Sequence, residues 1–228
     1  MSSHDPKIEQ ETVVDEVMVQ SERWAERNYK TIIMAVIAAT VLVLGGYAYY
    51  KLVHEPQAER ASAEMYVAEE HFIAGQDSLA LVGEGIGSKG FEAIKSEYSG
   101  TDAANLAQVY SGIALYDAGK YQEALEALKE FSSSERYVAP SVQRLMGDCY
   151  AQLGKLEDAA SMYERAAKAA DNDAISPSCL IKAGHVYEKL GKADKALEAY
   201  QMVKTKYYTA PEAQTIEADI LRAEAAKK

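Results

Sequence analysis

Cysteine is nearly absent. Cys149 and Cys179 are the only two among 228 residues, too few for a metal site or a disulfide framework. One bond between them stays open for an exported domain, but the helical reading below puts Cys149 late in one helix and Cys179 early in the next equivalent one. Parallel packing then leaves an axial offset of about 10 Å, beyond disulfide reach, so two small buried thiols are expected. Basic residues are outnumbered: 24 Lys and Arg stand against 35 Asp and Glu, a net charge of −11. Residues 1–30 contribute −3 (four against seven) and residues 51–228 contribute −8 (20 against 28). Phosphate neutralisation, and with it nucleic-acid binding, is excluded, as is a flat posture on anionic lipid.

Signatures of catalysis are missing as well. His4, His54, His71 and His185 are scattered, and no two share the i, i+4 spacing that places a pair of metal ligands on one helical face. No serine or cysteine has an identifiable base partner. Gly85, Gly87 and Gly90 in GIGSKG satisfy G-x-G-x-x-G, yet that fingerprint needs a preceding strand within a βαβ unit, and the pattern here is helical. A flexible turn is the better reading, and Lys89 does not complete a P-loop because Ser88 separates it from Gly87. No enzyme, cofactor, metal or small-molecule substrate is expected.

What is present begins with TIIMAVIAATVLVLGGYAYY, an uncharged run over residues 31–50 bounded by Lys30 and Lys51. Twenty helical residues span about 30 Å, the thickness of a bilayer's hydrocarbon core. A cleavable signal would need a short basic leader, a shorter apolar segment and a small-residue cleavage site. None is found, and Tyr47, Tyr49, Tyr50 and Lys51 suit a headgroup boundary. Arg23, Arg27 and Lys30 on one side against Lys51 and Arg60 on the other favour a cytoplasmic N-terminus. The expected organisation is a leader over 1–30, a transmembrane helix over 31–50, a linker over 51–57 and a soluble domain over 58–228.

That domain is repetitive. Gly112, Gly147 and Gly184 recur at intervals of 35 and 37, and the same two intervals separate Gly119, Gly154 and Gly191, and Ala124, Ala159 and Ala196. SGIALYDAGKYQEALEAL, MGDCYAQLGKLEDAASMY and AGHVYEKLGKADKALEAY align without a gap. A period near 34 with this order of small residues resembles the tetratricopeptide repeat, paired antiparallel helices joined by a tight turn. The first glycine of each unit lies mid-helix, where it costs about 1 kcal/mol, so a partner helix must approach closely there; the second closes the helix through a left-handed turn. Tyr150, Tyr163, Tyr187 and Tyr200 fill the space between helices.

The flanks extend the array. Residues 58–75 read as a further helix with Gly75 at the repeat turn, SLALVGEGIGSK interrupts its partner, and GFEAIKSEYSGTDAAN echoes AYQMVKTKYYTAPEAQ from Ala199 to Gln214. A last helix is expected over about 212–225, as a terminal cap. The fold class is all-α: a single transmembrane helix followed by an open solenoid of about nine helices.

From the leader onward the order of parts resembles the YfgM-like family of bacterial inner-membrane proteins, in particular its Bacteroidota branch, through ERNYKTII and LALVGEGIGSKGFEAIKSEYSGTDAANLAQVYSGIALYDAGKYQEAL. The resemblance implies a periplasmic repeat domain beside the SecYEG translocon, engaging periplasmic chaperones or emerging polypeptides.

Stacked helix pairs present the first helix of each repeat on a concave face suited to peptides. Helical phase places Val109, Ile113 and Tyr116 there in one repeat, Arg144, Asp148 and Ala151 in the next, and Ile181, His185 and Glu188 in the third. An apolar, tyrosine-bearing entrance beside an Arg144–Asp148 ion pair suits extended client chains held weakly; packing between helices is the plainer role for the same residues. Ordered lysines and asparagines that would clamp a terminal carboxylate are lacking. In the leader, Val13, Val14, Val17, Met18, Trp24 and Ala25 share one helical face, an acidic amphipathic surface for a protein partner or an interfacial anchor. Two other functions fit the same parts: a scaffold for another envelope-assembly machine, or, with reversed topology, a cytoplasmic adaptor.

Overall fold

The computed structural model describes the backbone of residues 6–85 and 87–227, with side chains from residue 23 onward. His4 and the leader residues Val13, Val14, Val17 and Met18 lie outside the described side chains; of that expected face, Trp24 is exposed and Ala25 half-buried. The chain divides into two units, Met1–Pro56 and Gln57–Lys228.

The first unit holds α1 (Pro6–Tyr49) and a π-helical turn at Tyr50–His54, so the start of the segment expected to be a linker is helical. Within α1 the side chains over residues 31–49 lie almost entirely in the open: Met34 is 66% exposed and Leu42 76%. The helix is long and apolar enough to cross a membrane.

The second unit is built from α2 (Glu55–Ile73), α3 (Asp77–Val82), α4 (Phe91–Glu97), α5 (Asp102–Asp117), α6 (Tyr121–Glu130), α7 (Val138–Gln152), α8 (Leu156–Ala170), α9 (Ser176–Lys189), α10 (Ala193–Lys206), a 3₁₀ turn at Pro211–Gln214 and α11 (Glu217–Ala226). All regular elements among the described residues are helices. The pairs α5/α6, α7/α8 and α9/α10 are the three repeats read from the sequence. Each turn closes identically: Gly119, Gly154 and Gly191 have φ near +70° and donate to the carbonyl three residues back, while the following lysine donates five residues back, at 2.8–2.9 Å. This is the Schellman closure. Gly75 repeats it, with Gln76 donating to the His71 carbonyl at 2.9 Å, so α2/α3 opens a fourth pair, as expected.

The mid-helix glycines are explained by what stands on them. A Cβ on Gly112 would lie 2.5 Å from Leu128, one on Gly147 2.6 Å from the Tyr163 ring, and one on Gly184 2.2 Å from the Tyr200 ring. Leu128, Tyr163 and Tyr200 themselves recur at 35 and 37, and all are buried. Extending the series back by 37 reaches Phe91, also fully buried, whereas the alanine series reaches Ala80 by a step of 44. The difference, seven residues, is an excursion that splits one second helix into α3 and α4. Its two ends meet backbone to backbone: a Cβ on Gly83 would lie 2.1 Å from the Ser88 carbonyl oxygen, and one on Gly90 2.3 Å from that of Leu81. Lys89 anchors the excursion, its ammonium 2.9 Å from Glu64 of α2 and 2.6 Å from Glu97 of α4.

The C-terminal helix differs from expectation. Residues 211–214 form a 3₁₀ turn and α11 begins only at Glu217, because Pro211 starts a tight turn and Ile216 turns inward to full burial. The echo noticed in the sequence holds at a spacing of 109: Ile94 and Val203, Tyr98 and Tyr207, Ala107 and Ile216, and Ala114 and Ala223 are buried pair by pair. By that equivalence α11 stands where α5 stands, as the first helix of a further repeat.

Replacing Gly184 with alanine is expected to destabilise the repeat unit by about 1–3 kcal/mol through overpacking against Tyr200, although alanine favours a helix interior by about 1 kcal/mol. Chemical denaturation checks this; a midpoint at or above that of the wild type would show that Tyr200 can move aside.

Candidate functional site

The face expected to bind is formed by α5, α7 and α9, and the structure distributes its nine residues unevenly. Val109 is only 9% exposed and belongs to the core shared by α5, α6 and α7, so it packs rather than lines. Ile113 and Tyr116 are half-buried against the same core, the Tyr116 ring standing edge-on to Tyr121 at 5.3 Å. Arg144, Asp148, Ala151 and Ile181 are half-buried, Glu188 likewise, and His185 is exposed.

The expected Arg144–Asp148 pair is replaced. Asp148 Oδ1 accepts from the Tyr163 hydroxyl at 2.6 Å and from Lys182 Nζ at 2.7 Å. Lys182 lies on α9, so the carboxylate joins one repeat to the next instead of pairing along its own helix. Burial, and then the bond to Asp148, raise the Tyr163 hydroxyl well above the ordinary tyrosine range. Glu188 is used in the same way: Arg222 of α11 holds both of its carboxylate oxygens, at 2.9 and 3.0 Å, and His185 Nε2 stands 3.4 Å from Asp219. Arg144 has no carboxylate within 4.0 Å among the described residues.

Helical phase does not single out Lys182, Asp219 or Arg222, and it expects Tyr163 only as packing between helices. A signal existed: Asp148 and Lys182, His185 and Asp219, and Glu188 and Arg222 are each 34 residues apart, one repeat. The second helices and turns follow the same rule at 35 and 36, through Lys192 with Glu157 and Tyr207 with Asp171. Charges of opposite sign one repeat apart are the mark of a contact between equivalent helices.

The glycine fingerprint follows α3 rather than a strand; Gly85 and Gly87 have open space around them, and an isolated bridge joins Gly85 to Ser88. His71 is engaged by Gln76 at 2.8 Å and lies 3.5 Å from Glu84. Cys149 and Cys179 are unbonded and fully buried, as expected. Burial pushes each thiol up to about 11.

The sequence matches three family profiles: tetratricopeptide repeat over residues 111–174, tetratricopeptide repeat-like domain over 22–139, and tetratricopeptide repeat over 178–207. Among curated proteins none matches significantly. The fold is similar to a Podosopora anserina kinesin light chain structure with nearly identical TPR-like repeats, at 16% identity and a TM-score of 0.57, covering 75% of this chain and 88% of that one. A variant of the same protein matches equally, covering 87% of that chain. At this identity the likeness is one of fold. The profiles and the helix-pair architecture make the second unit a protein-interaction module.

The thiols supply a pH test. Their folded values lie above the ordinary 9.0, so the stability owed to neutral buried thiols is complete below pH 9 and is lost as pH rises to about 11. Relative to the Cys149→Ala, Cys179→Ala double variant, the wild type is expected to lose unfolding free energy over that interval; a constant difference would contradict the assignment.

Proposed function

We propose, for a chain that belongs to the tetratricopeptide repeat-like domain family, a non-enzymatic interaction module anchored in the inner membrane by α1, with its repeat unit in the periplasm as an accessory of the SecYEG translocon. The observation that carries the anchor is the continuous exposed apolar surface over residues 31–50. Roughly 25 cal/mol per Å² of apolar surface left in water is a cost that a bilayer removes. The flanking Arg23, Arg27 and Lys30 support a cytoplasmic N-terminus, and the resemblance of ERNYKTII and the following repeat segment to YfgM-like proteins supports the translocon.

On the first-helix face Arg144 is the expected lining charge that has no ion pair among the described residues. Beside the half-buried Ile113, Tyr116 and Ala151, it offers a cation to the carbonyls or carboxylates of an extended chain while apolar side chains cover the aliphatic surface. Such a site holds many sequences weakly, which suits chaperones or emerging polypeptides.

Protease added to intact spheroplasts is expected to remove the repeat unit and leave a membrane-embedded N-terminal fragment; a repeat unit protected until the membrane is lysed would reverse the topology. Arg144→Glu is expected to lower recovery of translocon subunits and chaperones with the crosslinked, gently solubilised protein, by about threefold to tenfold for one charge-assisted contact. Unchanged recovery, or recovery only of cell-wall or outer-membrane assembly proteins, would overturn this function while leaving the fold intact.

A further inference from the structure

Two surface concavities away from the first-helix face occupy the same place in the repeat. One, of about 410 Å³, lies between α8 and α10 over Leu180 of α9, and is walled by Lys195, Glu198, Ala199 and Met202. The other, of about 690 Å³, lies between α4 and α6. Its lining residues Gln108, Glu123, Glu126, Ala127 and Glu130 stand 72 residues, two repeats of 35 and 37, before Leu180 and those four wall residues. The cleft between second helices thus recurs two repeats apart, with different chemistry in its two places.

In the earlier cleft Leu81, Val82 and Leu115 supply apolar surface, with Val82 68% exposed at the end of α3, just where the seven-residue excursion interrupts the helix. Four carboxylates surround it against two ammonium groups. Lys95 is paired with Glu92 at 2.7 Å and Lys120 with Glu123 at 3.5 Å. Among the described residues the Glu126 carboxylate accepts only the Gln122 side-chain amide, at 3.0 Å, and the Glu130 carboxylate has no hydrogen bond or ion pair. Two uncompensated carboxylates thus stand one helical turn, about 6 Å, apart, beside the exposed Val82, the half-buried Leu81 and the edge of the largely buried Leu115. The cleft runs on past Glu130 into a further concavity of about 380 Å³ that shares Lys95, Gln108 and Glu130 with it, a channel rather than a closed hole.

We propose that the cleft between α4 and α6 docks a basic amphipathic segment of a partner protein, with aliphatic side chains on Leu81 and Val82 and two lysines or arginines on Glu126 and Glu130. Small cations would answer the carboxylates but leave Val82 in water; a purely apolar segment would desolvate two carboxylates without compensation. Only a segment carrying both kinds of side chain meets both demands. This site is distinct from the first-helix face and does not depend on it.

The test uses the full chain in nanodiscs of zwitterionic lipid and a fluorescent peptide of alternating lysine and leucine, with binding read by anisotropy from low to physiological salt. Glu126→Gln with Glu130→Gln, both at exposed positions, is expected to weaken binding about fivefold and to flatten its salt dependence. Glu157→Gln with Asp158→Gln, two exposed carboxylates on α8, is expected to change it by less than about twofold, and Val82→Ser to weaken it. Equal losses from the α8 pair would reduce the attraction to diffuse charge and overturn the proposal. So would undiminished binding of a peptide with serine in place of leucine. Loss with Arg144→Glu but not with the cleft variants would place the peptide on the first-helix face instead.

Discussion

The repeat unit depends on one steric constraint, the seating of a large side chain directly on a glycine of the facing helix. Leu128 on Gly112, Tyr163 on Gly147 and Tyr200 on Gly184 leave no room for a methyl group. Each contact fixes how closely the two helices of a pair approach and how one is rotated about its axis relative to the other. Once that is set in three successive pairs, equivalent side chains face one another one repeat later, and the remaining interactions have nowhere else to form. The mid-helix glycines give up helix propensity, and the buried leucine and tyrosine side chains recover it through packing.

On that frame the polar ladder follows. Lys182 reaches Asp148, Arg222 reaches Glu188 and Lys192 reaches Glu157, each across one repeat. Some of these pairs are exposed and contribute little each. Their effect is on register: a carboxylate on one first helix and a cation on the next oppose sliding of neighbouring repeats. They also consume charges that would otherwise face a ligand, which is why Arg144 stands apart on the first-helix face and Glu126 and Glu130 on the opposite side.

Much of this fold is legible in the sequence, because glycine and alanine at fixed intervals report backbone approach and turn geometry directly. Gly75 marks a fourth pair for the same reason. The split of α3 from α4 is harder to read, since the seven-residue excursion lengthens the step of the turn-glycine and alanine series to 44 while the large-residue series through Phe91 keeps a step of 37. Only knowing that Gly83 and Gly90 touch reconciles the two. The site is less legible still. Helical phase assigns the expected face to α5, α7 and α9, yet Val109 proves to be core, and Asp148 looks toward the next repeat rather than one turn along its own helix. Side-chain pairing between repeats is a three-dimensional choice that phase along one helix does not encode.

The repeat unit is a protein-interaction module, and α1 is long and apolar enough to cross a membrane. The most direct measurement is photo-crosslinking in living cells from a reactive amino acid placed at Ala151, on the first-helix face one turn from Asp148. Under the proposed function, adducts with translocon subunits, periplasmic chaperones or nascent exported chains are expected there, and none from the same probe at exposed Glu157 of α8. Adducts confined to cytoplasmic proteins, or equal labelling from both positions, would contradict it.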